Sequence, residues 1–308
     1  MAGMDNGENR VNRKTIHAAW VLLLIVAGVI WLALNWAPPG PADSAKGGQP
    51  SPPGPSSNSQ VQLRWGNPSG AKADAGDRNN YLMEKPYFAL SYNDAKGTPN
   101  WVSWRLVKDD LGHAERNQQF RPDDDLPAGF KKVLPSDYTE SGFDRGHMCP
   151  YADRESTEES RPATFIMTNA VPQSPANNRQ AWERFESYCR NLVAHDGKEL
   201  YIVAGPAGQG GIGEKGAART IGRNAVVVPA VTWKVVMVLS AGGTLDRNTR
   251  LIAVVIPNDQ TVDENWAKHR TSVKAVEKLT GYTFFGQAPA DILEPLKEKV
   301  DDVAVPSS

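Results

Sequence analysis

A succession of Val- and Ile-rich runs, Leu200–Ala204, Ala225–Pro229, Trp233–Ser240 and Leu251–Ile256, follows with almost no helical pattern between them. β-branched and aromatic residues suit a pleated, packed surface, so each run reads as a strand. Parallel neighbours would need a crossover helix at every step, and few are available here. Upstream, Tyr87–Tyr92 and Trp101–Leu106 flank the turn-rich loop 93–100 and predict a hairpin. Thr164–Thr168 reads as a further strand and Tyr282–Phe285 as a last one. Helical periodicity is confined to Gln180–Val193 and to Thr271–Leu279, the latter closed by Gly281. The expectation is an α+β fold with a mainly antiparallel central sheet flanked by helices.

The N-terminus is of another character. Residues Ile16–Trp36 are almost wholly apolar and carry no Asp, Glu, Lys or Arg. About 20 such residues are enough to span a bilayer as a helix. Arg10, Arg13 and Lys14 precede the run, and the next basic residue is Lys46. The positive-inside rule therefore leaves residues 1–15 in the cytoplasm and the rest outside. A cleaved signal peptide is the alternative, but Asn35-Trp36-Ala37-Pro38-Pro39 makes a poor small-residue cleavage site. Residues 37–60 are rich in Pro, Gly and Ser and read as a flexible linker. The globular domain is expected over 61–296, with 297–308 as a C-terminal tail that looks frayed over Val300–Ser308.

Composition narrows the chemistry. Formal net charge is -1, so any polyanion must be held by local Arg or Lys together with a metal rather than by an overall basic field. The chain has 2 cysteines, Cys149 and Cys189, which are either free thiols or one bridge. It holds no CxxC pair and no HExxH, which argues against a zinc site.

Two clusters stand out. In Phe143–Asp153 an acid, an arginine, a glycine and a histidine come together as Asp144-Arg145-Gly146-His147. About thirty residues on, Asn177–Glu186 opens a helix. There Ala181, Trp182, Phe185, Tyr188, Cys189 and Leu192 form one apolar stripe at about 100° per residue. Asn177 with Gln180 resembles a capping box. Asn178 falls near the middle of the stripe and Glu186 at its edge. An amide and a carboxylate facing the protein need partners, and either alone is more often structural. His147 stands in reactive company that His17, His113, His195 and His269 lack.

Three segments in order carry a resemblance: Asp144-Arg145-Gly146-His147, then Thr168-Asn169-Ala170-Val171-Pro172-Gln173, then Asn178 with Trp182 and Glu186. Together they resemble the DNA/RNA non-specific endonucleases, the endonuclease G-like group of ββα-metal (His-Me finger) nucleases. The similarity spans roughly Tyr87 to Phe285. It includes Val203-Ala204-Gly205-Pro206 and Val255-Ile256-Pro257-Asn258. A ββα-metal nuclease fold is what it implies, preceded in this chain by the one transmembrane helix read from residues 16–36.

The resemblance also implies roles. His147 matches the general base that takes a proton from the attacking water, for which an imidazole with an unperturbed pKa of about 6.5 is suited. Asn178 matches the direct ligand of one Mg²⁺, with Mn²⁺ as the other cation to consider; an amide oxygen is a hard donor and Mg²⁺ keeps most of its waters. Glu186 matches the carboxylate that orients water around the metal. Arg145 and Arg116 match arginines that stabilise the charge of the transition state, with Arg121 a rival to Arg116. Products with 5′ phosphates follow from the family. Asn169 and Gln173 are substrate-binding candidates, with structural bonding of their loop as the alternative. Asp144 is read as holding its loop. A homodimer is compatible with the resemblance.

Gly208-Gln209-Gly210-Gly211-Ile212-Gly213 fits GxGxxG after a strand. A dinucleotide site would need a helix there and an acid about 20 residues on. Trp233 stands near that place, so the segment reads as a flexible loop. Two function classes remain: a sugar-non-specific endonuclease facing outward from a membrane, and a binding module of the same fold that has lost activity.

Overall fold

The computed structural model describes residues 59–112 and 119–305. The tail 1–15, the anchor 16–36, most of the linker and Arg116 lie outside the described residues. Among the described residues no helix is long and apolar enough to cross a membrane.

The described residues open with a short helix α1 (Ser59–Gln62). It then runs through β1 (Tyr81–Glu84), β2 (Ala89–Asn93), β3 (Thr98–Leu106), β4 (Asp144–His147), α2 (Ser160–Thr164) and β5 (Ala170–Gln173). After these come α3 (Glu183–Ala194), β6 (Lys198–Ala207), β7 (Gly211–Gly213), β8 (Gly216–Ala218), β9 (Thr220–Ile221) and β10 (Val226–Val227). The last elements are β11 (Val231–Ser240), β12 (Arg250–Pro257), β13 (Arg270–Thr271), α4 (Val273–Thr280) and α5 (Ala290–Lys297). A 7-stranded sheet in the order β1-β2-β3-β6-β11-β12-β13 forms the centre, and every pairing in it is antiparallel.

Both faces of that sheet are covered, which explains why the runs are apolar on both faces. On one face Val236, Val238, Ile252, Val254 and Trp104 pack against Trp182, just before α3, and against Phe185 and Cys189 of α3. On the other, Trp233, Val235, Met237 and Leu251 pack against Val273 and Val276 of α4 and Leu293 and Leu296 of α5. Trp101, Trp104, Trp182 and Trp233 are all fully buried. Fully burying a large apolar side chain contributes about 1.5–3 kcal/mol, so this double core carries most of the fold.

The 87–106 hairpin, the long strands after 198 and the helix closed by Gly281 stand where the patterns place them; Gly281 is left-handed at φ 76°. Four expectations are corrected. Thr164–Thr168 is not a strand but the end of α2, one isolated bridge from Ile166 to Arg121, and a 3-10 turn over Met167–Asn169. Thr168 and Asn169 spend their side chains on Asp123, Cys149 and Thr164, which fixes a turn instead of a ladder. Tyr282–Phe285 is not a strand either: Phe285 sits at φ 56°, and the run enters the core through its rings. Ala225–Pro229 shrinks to the two residues of β10, because Ala225 turns left-handed at φ 47°. The tail beyond 296 is tied down at Asp301, which pairs with Arg250 at 2.6 Å.

Candidate active site

The paired strands β4 and β5 lay the Asp-Arg-Gly-His segment against Ala170–Gln173, with Asp144 opposite Gln173 and His147 opposite Ala170. Gly146 is required by close approach: a Cβ there would meet Oε1 of Gln173 at 2.0 Å. Gln173 in turn donates from Nε2 to Oδ1 of Asn177 at 2.7 Å. The amide of Asn177 donates to Thr232 Oγ1 and to the carbonyl of Pro257, both at 3.0 Å, which pins the start of the helix to the central sheet. The capping-box expectation is therefore corrected. Ser174 receives the Asn177 N–H on its Oγ and the Asn178 N–H on its carbonyl.

Between this cap and α3, residues Asn177–Trp182 form a π-helical turn. Such turns are rare and concentrate at functional sites. Asn178 is its second residue. Its Nδ2 donates to Oδ2 of Asp144 at 2.8 Å, and the neighbouring Arg179 grips the same carboxylate at 2.8 and 2.6 Å. Among the described residues nothing donates to Oδ1 of Asn178. The side chain is thus held by its nitrogen while its oxygen is available to a cation.

Asn178, Asp144, Arg145, Arg179, Phe120 and Phe165 are among the walls of one open cleft of about 580 Å³. Arg145 donates twice to the carbonyl of Pro135, at 2.8 and 3.3 Å, which fixes its guanidinium along that wall. His147, at the end of β4, has its ring against Phe120 at 4.5 Å and Phe165 at 4.8 Å, with Tyr151 at 6.1 Å. Its backbone carbonyl accepts a hydrogen bond from Trp182 Nε1 at 3.3 Å, joining the histidine strand to the helix.

Glu186 lies deeper. Its carboxylate is 3.2 Å from Nζ of Lys234, a fully buried lysine on β11. Burial pushes the Glu186 carboxyl up, and Lys234 and Arg190 only partly oppose that shift. Its partner is a charge, not the backbone.

The structure corrects other candidates. Asn169 and Gln173 are fully buried and hold loops together, so neither is on the cleft wall. Arg121 donates to the carbonyl of Pro162 and lines a separate groove with Asp123 and Asp125. Cys149 and Cys189 are free, buried thiols, and burial pushes Cys189 up to about 12, which leaves it a poor nucleophile. The 208–213 segment is half of the β7–β8 hairpin, so no helix opens there. Sequence reading missed Arg179, which clamps Asp144, and Lys234. A lysine amid Val and Trp in a buried strand was the available signal for the second.

A metal fits this donor set in a particular way. No group of three or more His, Cys, Asp or Glu that could hold an ion occurs among the described residues. A protein cage is thus absent there, while one hard amide oxygen belongs to a side chain that lines an open cleft. That suits a cation which keeps most of its waters.

Known proteins match this frame. The family model of the DNA/RNA non-specific endonucleases matches residues 66–291. A "Nuclease" from Nostoc sp. is 49% identical over 246 residues, which are 79% of this chain and 86% of that protein. Human mitochondrial Nuclease EXOG is 33% identical over 64% of this chain, which spans only 55% of that relative's length. A chain from the crystal structure of the EndoG/EndoGI complex superposes with TM-score 0.64 at 25% identity, covering 78% of this chain and 95% of that one. With its antiparallel sheet and its histidine strand beside the asparagine turn, the chain belongs to the DNA/RNA non-specific endonuclease family.

Proposed function

We propose that the protein is a Mg²⁺-dependent endonuclease that hydrolyses phosphodiester bonds of DNA and RNA without reading base sequence, leaving 5′ phosphates. One observation carries this reading. The Asn178 amide is fixed by Asp144 through its nitrogen, with its oxygen available in the cleft that Arg145 also lines. Asn178 would hold the ion, Mg²⁺ or Mn²⁺. When bound, the cation would offset charge gathering on the phosphate and on the leaving 3′ oxygen. His147 takes the proton of the attacking water, its ring kept in place by Phe120 and Phe165. Arg145 faces the equatorial phosphate oxygens with the guanidinium edge that Pro135 does not occupy. Arg116 would add a second cation. Glu186 would orient water around the ion.

Contacts to phosphate rather than base edges make cutting independent of sequence. The intact set of His147, Asn178 and Glu186 disfavours an inactive binding module. We place the nuclease domain outward from a membrane through the 16–36 anchor, in a periplasm, at a cell exterior or in an intermembrane space. The test of the chemistry is end analysis. Fragments from plasmid and from RNA should accept a labelled 5′ phosphate only after phosphatase treatment. Fragments that accept the label directly would overturn the reading.

A further inference from the structure

Lys234 stands in the middle of β11, paired with Ala204 on one side and Val254 on the other. It is 1% exposed. Its Nζ lies 3.2 Å from Oε1 of Glu186 and 4.1 Å from the centroid of the Trp182 ring, with Trp104 at 5.6 Å and Phe185 at 5.8 Å. A buried ammonium is expensive, and apolar residues of similar volume usually serve stability as well as a buried ion pair does. Stability is therefore a weak account of this lysine. Geometry offers another. Lys234 touches Glu186 directly. It also sits over Trp182, whose Nε1 donates to the carbonyl of His147. One side chain of the central sheet thus touches the carboxylate directly and the tryptophan that is bonded to the histidine strand.

We propose that Lys234 is a positioning residue for the nuclease reaction: its ammonium, lying over the Trp182 ring, holds the Glu186 carboxylate in its working place. This rests on the role of Glu186 proposed above. The charged and titratable groups facing Glu186 are Lys234 from β11, Arg190 from its own helix, and Asp153 from the 3-10 turn Tyr151–Asp153. The thiols of Cys149 and Cys189 lie in the same buried cluster. Arg190 is engaged by Asp153 at 3.2 Å, and Asp153 also receives Trp104 Nε1 at 2.9 Å. Among the described residues Lys234 is thus the cation in hydrogen-bond contact with the Glu186 carboxylate.

The test uses the full chain as wild type, Lys234→Met, Glu186→Gln and the double variant. Four quantities are measured: kcat and KM on one defined duplex across pH, Mg²⁺ affinity by calorimetry, and melting temperature. Lys234→Met is expected to lower kcat about 10–100-fold with KM little changed, the range for residues that orient a metal site. Its acid limb moves to higher pH, because a carboxyl without its ammonium protonates more readily. Mg²⁺ binds it more weakly than wild type. In the Glu186→Gln background, Lys234→Met should change neither kcat nor Mg²⁺ affinity by more than about 3-fold, since its route of action is gone.

An equal kcat loss in both backgrounds, with an unmoved acid limb, would overturn the proposal and leave Lys234 a packing residue. If Lys234→Met does not fold, the double variant carries neither charge and decides alone. Matching Glu186→Gln supports the proposal, and falling more than about 10-fold below it overturns it. Full activity of Glu186→Gln would instead sink the role given to Glu186, a separate failure.

Discussion

Asp144→Ala should damage metal binding while leaving the fold intact. The carboxylate makes two kinds of contact. It accepts Nδ2 of Asn178 at 2.8 Å, and it receives a two-pronged grip from Arg179 at 2.8 and 2.6 Å. The second contact is largely exposed, with side-chain exposure of 62% for Arg179 and 20% for Asp144, so it adds about 0–1 kcal/mol to global stability. The first fixes the orientation of an amide. A hydrogen bond to a charged group contributes about 1.5–3 kcal/mol, and about 1.4 kcal/mol is a factor of ten. Mg²⁺ at half-maximal rate should therefore rise about 10–100-fold, matching the usual cost of losing a residue that orients a metal ligand. Saturating Mg²⁺ should recover much of kcat, and Asp144→Asn, which can still accept one bond, should fall between. The assay is initial-rate cleavage of supercoiled plasmid over a Mg²⁺ titration, beside a thermal melt. An unchanged half-saturation in a folded variant would refute the clamp. So would an equal effect from Arg179→Ala with Asp144 intact, which would assign the work to the exposed ion pair.

Other outcomes follow from the same geometry. Gly146→Ala drives a Cβ to 2.0 Å from Gln173 Oε1, inside a side chain held by Asn177. Overpacking of this kind costs about 1–3 kcal/mol, so both the denaturation midpoint and kcat should fall, and a neutral result would contradict the packing. Phe185→Ala empties a fully buried site against Trp266, with ring centroids at 4.5 Å, and should cost about 3–5 kcal/mol in a denaturant titration. Asp137 concerns the loop that holds Arg145. Burial works to raise its carboxyl, but hydrogen bonds from Asn224 and from the Leu134 and Asn224 amides outweigh that and lower it. A depressed folded pKa gives stability that is present above the unfolded value of about 3.9 and lost as pH falls through the folded one. Asp137→Asn should therefore be less stable than wild type at neutral pH, with the gap closing in acid; a gap that is constant with pH would count against it.

The central strands were legible because both faces of the sheet are buried, so β6, β11 and β12 are dominated by apolar residues on both faces. The helix stripe from Ala181 to Leu192 was legible for the matching reason, one face against that sheet. Thr164–Thr168 and Tyr282–Phe285 misled because a short apolar run records burial, not backbone shape. Phe284 and Phe285 are in the core through their rings while their backbone turns. Asn169 and Gln173 lie in a segment that resembles the family motif, yet proximity to a site in sequence does not tell a wall residue from a brace. The π turn at Asn177–Trp182 was hidden because its cause is tertiary. Asn177 reaches across to Thr232 and Pro257, far along the chain. The Lys234–Glu186 pair was hidden for the same reason, although a lone charge in the Val-rich run 231–240 marked the place.

The most direct measurement is digestion of supercoiled plasmid and of RNA by the purified protein, with Mg²⁺ or with EDTA, beside His147→Ala and Asn178→Ala. Cleavage of both substrates by wild type alone, abolished by EDTA and reduced by orders of magnitude in both folded variants, is the predicted result. Cleavage that survives EDTA, or that His147→Ala leaves unchanged, would contradict a metal-assisted nuclease site built on these two residues.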